Sequence, residues 1–217
     1  MRTGRRIMAV LVAMMLLFSG CGMTDNPGVT GPTTVTVPLS GKLTCVEISR
    51  FSGRFVENGK DQSVQDVAAI RVENGTERFL DLAVITYQVG DRTLEFRVTG
   101  LPSGRQAWVL ESSGQVLKAG EELELLDCQE SYNSAPITTT NQLAVSRQGN
   151  TVSVTNNSGK DLANVTIYYK NTMEGGIFFG GITYVMSFGN MKAGEAASKS
   201  ADHFGDTSEI VRFSYQS

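Results

Sequence analysis

The chain has 217 residues with 19 basic and 22 acidic side chains, and its formal net charge is −3 at pH 7. A chain with this balance lacks the excess of basic residues that binds nucleic acid, so we expect no nucleic-acid partner. It also lacks a polybasic segment that would bind anionic lipid. The length allows one large domain or two small ones.

The first 20 residues have the layout of a secretory signal peptide. Arg2, Arg5 and Arg6 precede an unbroken apolar run at residues 7–18. Twelve apolar residues are too few to cross a bilayer, which takes about 20, and a buried helix would carry polar residues on one face. A basic start followed by a short apolar run is typical of a segment that is cut away after export.

The apolar run ends in the sequence FSGC, residues 18–21, which resembles the lipobox of bacterial lipoproteins. The resemblance implies diacylglyceryl transfer to the Cys21 thiol, cleavage after Gly20 and a lipidated Cys21 at the mature N-terminus. Phe18 departs from the aliphatic residue that this family usually has there. We expect a protein anchored by its N-terminal lipid to the extracytoplasmic face of the cell membrane, with plain secretion as the alternative.

Residues 21–40 have the composition of a flexible tether. They hold three of the five prolines in the chain, and Gly, Thr and Ser fill most of the other positions. Such a segment cannot bury enough apolar surface to offset the entropy lost on ordering. We expect a disordered spacer that lifts the folded part off the membrane.

The remainder of the chain has the periodicity of β-strands. TLEFRV, at residues 93–98, alternates strictly between apolar and polar side chains, and VTIYYK and ITYVMSF are rich in β-branched and aromatic residues. No long window shows the apolar stripe of a helix. These patterns predict half-buried strands and an all-β fold.

Two halves of this region match each other in register. At an offset of 82 residues the pairs are Ile70 with Val152, Val72 with Val154, Asn74 with Asn156, Leu80 with Leu162, Ala83 with Val165, Ile85 with Ile167 and Tyr87 with Tyr169. At an offset of 90 they are Leu94 with Tyr184, Phe96 with Met186, Val98 with Phe188 and Gly104 with Gly194. A slip of one residue would turn every side chain to the other face, so this register predicts a duplicated domain.

The repeat predicts two tandem immunoglobulin-like β-sandwich domains, at residues 41–130 and 141–217, joined by a polar linker at 131–140. The sequence VSVTNNSGKDLANVTIYYKN, with a looser copy in IRVENGTERFLDLAVITYQ, resembles the small Ig-like modules of bacterial surface proteins, the FxLYD type among them. The resemblance implies a fold and a surface location, and it carries no catalytic residue to transfer.

Cys45 and Cys128 remain once Cys21 is acylated. They lie in the first and last strands that we predict for the first domain. An even pair outside the cytoplasm indicates a disulfide, which would place the two Cα atoms about 4.4 to 6.8 Å apart. Two buried free thiols are the alternative.

His203 is the single histidine, and it stands near Asp202, Asp206 and Glu209. Oxygen ligands suit Ca²⁺ or Mg²⁺, but the spacing matches no known ligand loop, and a solvated turn explains the same residues. A Ser-His-Asp site would need His203 as its base, and the chain has no G-x-S-x-G motif. We expect no metal, no cofactor and no catalytic site.

Two other features also have a structural alternative. Carboxylates such as Glu121 and Glu122 could serve a glycosidase, but charged pairs usually face water. Trp108 could form a sugar-stacking platform, although a single Trp in a strand is more often part of the core. The motifs NGT, NNS and NVT fit the N-glycosylation pattern, and we interpret their asparagines as turn residues.

The second half contains eight extra residues between Tyr169 and Tyr184. Ile177, Phe178 and Phe179 in this insertion are flanked by glycine pairs and have no counterpart in the first half. We expect a projecting hairpin whose exposed rings contact a partner, with folding back over the sheet as the alternative.

These features together favour a lipid-anchored envelope protein that presents two β-sandwich modules to a protein or glycan partner. The alternatives are an extracytoplasmic hydrolase that uses carboxylates, and a purely structural spacer. A deep pocket with two acids of raised pKa would favour the enzyme.

Overall fold

The computed structural model describes residues 28–57 and 60–217, so the predicted signal peptide, Cys21 and residues 22–27 lie outside the described residues. Apart from a 3₁₀ turn at Glu174–Gly176, every regular element in those ranges is a β-strand, which confirms the predicted all-β fold. The strands are β1 (Gly28–Ser40), β2 (Leu43–Glu57), β3 (Lys60–Asn74), β4 (Phe79–Val89), β5 (Arg92–Leu101), β6 (Gln106–Leu110), β7 (Glu124–Asn133), β8 (Leu143–Gln148), β9 (Thr151–Asn156), β10 (Leu162–Thr172), β11 (Phe178–Met191), β12 (Ala196–Ser200) and β13 (Ser208–Gln216). No helix in the described ranges has the length and apolar character needed to cross a membrane.

The strands form one seven-stranded sheet, in the order β1-β2-β3-β6-β11-β10-β13, and two three-stranded sheets, β5-β4-β7 and β12-β9-β8. In the first half, the sheet β5-β4-β7 covers β1, β2, β3 and β6 and encloses a core that includes Tyr87 and Phe96. In the second half, β12-β9-β8 covers β11, β10 and β13 around Ile167 and Tyr169. Each half is therefore a β-sandwich with its own apolar core.

The two halves have the same strand order. In the first, β2-β3-β6 faces β5-β4-β7, and in the second, β8-β9-β12 faces β11-β10-β13. Ile85, Ile167, Tyr87 and Tyr169, which the repeat places at equivalent positions, are all fully buried. The predicted duplication is confirmed in strand order and in the side of the sheet that these residues face.

Residues 28–40, which the composition assigns to a disordered tether, form strand β1. The strand pairs antiparallel with β2 at the outer edge of the large sheet. Val37 and Leu39 pack onto the core of the first half. Pro38 is exposed. Proline has no amide N–H to donate, and an edge strand tolerates this loss because one of its sides pairs with no other strand. The tether prediction was wrong for this stretch because alternating apolar residues outweigh its prolines.

The large sheet passes through both halves because the start of β11 pairs in parallel with β6. Phe178 lies opposite Ala107, and Phe179 lies opposite Trp108. These residues belong to the insertion that is present only in the second half. The insertion therefore extends the β10–β11 hairpin and joins the second sandwich to the first.

The predicted disulfide is not formed in this structure. Cys45 on β2 is buried, Cys128 on β7 is partly buried, and both are free thiols. The two strands belong to opposite sheets, and the Tyr87 side chain lies near both sulfur atoms. Burial raises the pKa of each thiol. The structure thus contains two free thiols, and it matches the alternative of two buried thiols only for Cys45.

Candidate binding cleft

The nominated partner-binding residues Ile177, Phe178 and Phe179 do not form an exposed hairpin tip. Phe178 is fully buried, and the guanidinium carbon of Arg105 lies 4.3 Å from the centroid of its ring. Ile177 and Phe179 are partly buried, and the ring of Phe179 lies 5.2 Å from that of Phe51. The prediction of exposure was wrong because these side chains fill the junction between the halves.

Two other candidates from the sequence have structural roles. Trp108 is buried in the cluster that packs against Phe179. The Glu121 carboxylate accepts the backbone N–H of Lys118 at 2.8 Å and forms an ion pair with Arg92, so it holds a turn together.

Gly181 allows β11 to approach the first half closely. A Cβ atom at this position would lie 1.9 Å from the Arg97 carbonyl oxygen and 2.8 Å from a methyl carbon of Val109. No side chain fits in that space, so the glycine is required by the contact between the two halves.

The β2–β3 hairpin extends past the end of β1 as an arm, which we define as residues 53–57 and 60–64. The arm contacts the second half at two points. The Tyr184 hydroxyl donates to the Val56 carbonyl, and the Glu57 carboxylate accepts the backbone N–H of Ile182 at 2.6 Å. These bonds fix the arm above β11.

A cleft of about 610 Å³ lies between the arm and the loop at residues 201–207. The residues that line it are Arg54, Val56 and Asp61 from the arm, Asn171, Phe179 and Tyr184 from β10 and β11, and Ala201, Asp202, His203, Phe204, Gly205 and Thr207 from the loop. Arg54 and Asp61 form an exposed ion pair at the rim, with N and O atoms 2.6 Å apart. The cleft thus combines aromatic rings with charged and polar groups from both halves.

His203 packs against two stacked tyrosine rings in the wall of the cleft. Its ring centroid lies 4.2 Å from that of Tyr184 and 5.8 Å from that of Tyr169, both nearly perpendicular. Its Nδ1 atom lies 3.4 Å from the Tyr169 hydroxyl oxygen. Burial lowers the pKa of His203, and nearby Asp202 opposes this effect. The ring is therefore predominantly neutral at pH 7.

The acidic residues near His203 in the sequence do not gather around it. Glu209 forms an ion pair with Arg105, with N and O atoms 2.7 Å apart, and Asp202 and Asp206 are exposed. Within the described ranges, no group of three or more His, Cys, Asp or Glu side chains is placed to hold a metal ion. The cleft offers hydrogen-bonding groups, charged side chains and aromatic rings.

A buried lysine and a partly buried glutamate lie near each other at the junction next to the cleft. Lys170 is 1% exposed, and its Nζ donates to the carbonyls of Gly181 at 2.7 Å and Thr99 at 3.2 Å. Burial lowers the pKa of Lys170 to about 7, and the charge of Glu57 opposes the shift. Burial raises the pKa of Glu57, while the N–H of Ile182 and the charge of Lys170 act against this rise.

The sequence singled out His203, its neighbour Asp202 and Phe179, but it did not predict that they line one cleft together with the arm. Arg54 and Asp61 lie in a hairpin whose sequence resembles any polar turn. Lys170 had one usable signal, because the residue that matches it at the offset of 82 is the neutral Gln88. A charged lysine in place of a neutral residue, directly before the extra segment, indicates that this face of β10 has different neighbours from the same face of β4.

Comparisons with known proteins assign the chain to no family. No family model matches the chain, and no curated protein matches it. Among solved structures, the chain is similar to the C-terminal globular domain of an oligosaccharyltransferase from Pyrococcus abyssi, with 15% identity and a TM-score of 0.22. The match covers 83% of this chain and 49% of that one, so this chain spans about half the length of that structure.

Proposed function

We propose that this protein is a lipid-anchored, non-catalytic binding protein of the cell envelope, and that its ligand occupies the cleft between the two sandwiches. The anchor is Cys21, as the lipobox-like sequence at residues 18–21 implies. The partner is an envelope protein or a glycan, and no nucleic acid is expected.

The observation that carries this proposal is the composition of the cleft. Aromatic rings of Phe179, Tyr184 and His203 line one side, and the charged side chains of Arg54 and Asp61 stand at the rim. Binding sites are concave surfaces with apolar walls and a few placed polar groups. Both halves contribute residues to this surface, so the junction between them also determines the shape of the proposed binding site.

The position of strand β1 supports a cleft close to the proposed anchor. Gly28 pairs with Ser52, only two residues before Arg54 of the cleft. A chain covers at most about 3.6 Å per residue, so Cys21 lies within about 25 Å of Gly28. The cleft therefore lies near the membrane surface when Cys21 carries lipid.

Site-specific photo-cross-linking in native membranes tests the binding site. A photo-reactive residue at Thr207, an exposed residue of the cleft lining, is expected to form a discrete conjugate. The matched control is Lys199, an exposed position on β12 outside that lining. Equal conjugates at both positions, or none at Thr207, would refute binding in the cleft.

Membrane fractionation tests the anchor. Cys21→Ser removes the thiol that accepts the diacylglyceryl group, so we expect an unprocessed or released protein. A variant that is still cut after Gly20 and stays in the membrane fraction would show that Cys21 is not the anchor.

A further inference from the structure

We infer that the ligand of the cleft is a neutral saccharide, held by the ring of Phe179 and by hydrogen bonds to Asp202 and His203. This inference rests on the proposed function, because it names the ligand class of the same cleft. It follows from the groups that the cleft offers, from their charge, and from the backbone atoms that are already bonded.

The aromatic part of the cleft is rigid. The partly buried ring of Phe179 packs against Phe51 and Phe55, with centroids 5.2 and 5.6 Å apart. Tyr184 is fixed through its hydroxyl bond to Val56. Rings that are immobilised before binding lose little entropy when a ligand arrives. One face of a pyranose ring carries C–H groups, and that face is complementary to the negative face of an aromatic ring.

The polar groups beside these rings suit hydroxyl groups. Asp202 is exposed, and its carboxylate oxygens accept hydrogen bonds. The neutral His203 ring has one donor and one acceptor nitrogen. Its Nδ1 faces the Tyr169 hydroxyl, and no partner for Nε2 lies among the described residues. A hydroxyl group both donates and accepts, so it can use either tautomer of His203 and the carboxylate of Asp202.

The charge of the cleft disfavours anionic ligands. Arg54 and Asp61 neutralise each other at 2.6 Å, and His203 is predominantly neutral at pH 7. Asp202 then leaves one uncompensated negative charge in the lining. A phosphate or a uronic acid would meet repulsion here, whereas a neutral polyol would not.

Part of the backbone that lines the cleft is not available to a peptide. Strand addition requires unpaired N–H and C=O groups, and several backbone groups of the lining are already bonded within the protein. The bonds run from Phe204 N–H to Ala201 O, from Gly205 N–H to Ser208 Oγ, from Asn171 Nδ2 to His203 O, from Thr172 N–H to Thr207 O and from the Tyr184 hydroxyl to Val56 O. The bonded groups of the loop and β11 leave side chains as the main donors and acceptors on that side of the cleft, which suits a saccharide.

The position of the cleft near Cys21 leaves two sources for such a saccharide. It can be a free oligosaccharide of the envelope or the headgroup of a glycolipid in the same membrane. Both present the same hydroxyls and C–H faces, so the experiment has an arm for each.

The experiment uses the lipidated full chain, purified in a detergent without a sugar headgroup. Calorimetric titration with maltohexaose and chitohexaose covers neutral oligosaccharides, and hexagalacturonate is the anionic counterpart. Flotation with phosphatidylcholine vesicles, with and without diglucosyl diacylglycerol, covers the glycolipid. We expect a dissociation constant below about 1 mM for at least one neutral probe, and weaker binding of the uronate.

Two variants assign the binding to the cleft. Asp202→Asn is expected to raise the dissociation constant of the neutral probe by about 10- to 100-fold, since it removes a charge-assisted acceptor. His203→Gln is also expected to weaken binding of the neutral probe. The melting temperature of this variant is measured as well, to show that it is folded. Asp206→Asn changes an exposed acid of the same loop outside the cleft lining, and it is expected to leave binding unchanged.

The outcomes separate this inference from the proposed function. The saccharide inference would be overturned by any of three results. These are no binding of any neutral probe at about 10 mM, equal binding of the uronate, or equal loss of affinity in Asp202→Asn and Asp206→Asn. If a protein conjugate then forms at Thr207, the binding function stands and the saccharide fails. If no conjugate forms there either, both fail.

Discussion

Asn74 and Asn156 occupy the same place in the two halves, and both are fully buried. The side-chain amide of Asn156 donates to the carbonyls of Lys160, Met191 and Lys192, and its oxygen accepts from Ser158. Asn74 makes the corresponding bonds to Arg78, Leu101 and Thr76. The Asn-x-Ser/Thr spacing therefore follows from turn geometry, since the third residue caps the asparagine oxygen.

Asn156→Ala is expected to lower the free energy of unfolding by about 3 kcal/mol, because it leaves buried carbonyls without a donor. The neighbouring Asn157 is exposed, and Asn157→Ala is the matched control, with a change within about 0.5 kcal/mol. Urea unfolding at pH 7 measures both. Similar losses in the two variants would contradict the role of the Asn156 side chain.

At the scale of the element, the extended β10–β11 hairpin holds the halves together. Phe178→Ala removes a fully buried ring beneath the guanidinium of Arg105. We expect a loss of about 3 to 5 kcal/mol in the free energy of unfolding. Val185→Ala on the same strand is the control, because Val185 is 59% exposed. A melting temperature of Phe178→Ala close to that of Val185→Ala would place the ring outside the core.

Gly181→Ala tests the close approach of β11 to the first half. The added methyl group would lie 1.9 Å from the Arg97 carbonyl oxygen, and a backbone atom in a sheet cannot move aside freely. We expect a loss of about 3 kcal/mol or more. Gly205→Ala is the control, since a Cβ there meets nothing within 4 Å. A thermal melt in which both variants match the parent would show that the strands separate at little cost.

The sequence predicts the strands far better than the contacts between the halves. Alternation alone places Ile85 and Ile167 in the two cores, because strand periodicity is local. Strand β1 is missed because its Pro and Thr content resembles a linker, and its burial depends on β2. The cleft is missed because its parts are distant in sequence. The bond between Val56 and Tyr184 spans 128 residues, and no local pattern encodes such a contact.

At the scale of the whole molecule, the two sandwiches share a sheet and also a pair of ionisable groups, the buried Lys170 and the partly buried Glu57. Lys170 of the second half donates to Thr99 of the first, and Glu57 of the first accepts from Ile182 of the second. Tyr184 also faces the pair, and burial with the nearby Glu57 raises its pKa to about 12. The junction is therefore expected to respond to pH near neutrality through Lys170.

The sign of this response follows from the pKa of Lys170, which burial lowers from 10.5 to about 7. Between these values the unfolded chain binds more protons than the native one, so the free energy of unfolding rises with pH. Below pH 7 the lysine is charged in both states and the cost of burying it is complete. The raised pKa values of Cys45 and Cys128 act in the opposite direction near pH 9, because the native thiols keep their protons.

Lys170→Met isolates the lysine from these thiols. Between pH 7 and 9, the parent protein is expected to gain about 2 kcal/mol of unfolding free energy relative to Lys170→Met, measured by urea unfolding at several pH values. Glu57→Gln keeps the acceptor for Ile182 but removes the charge that raises the pKa of Lys170. The gain in that variant should therefore begin at a lower pH. Parallel stability curves for the parent and Lys170→Met would show that Lys170 stays charged at the junction.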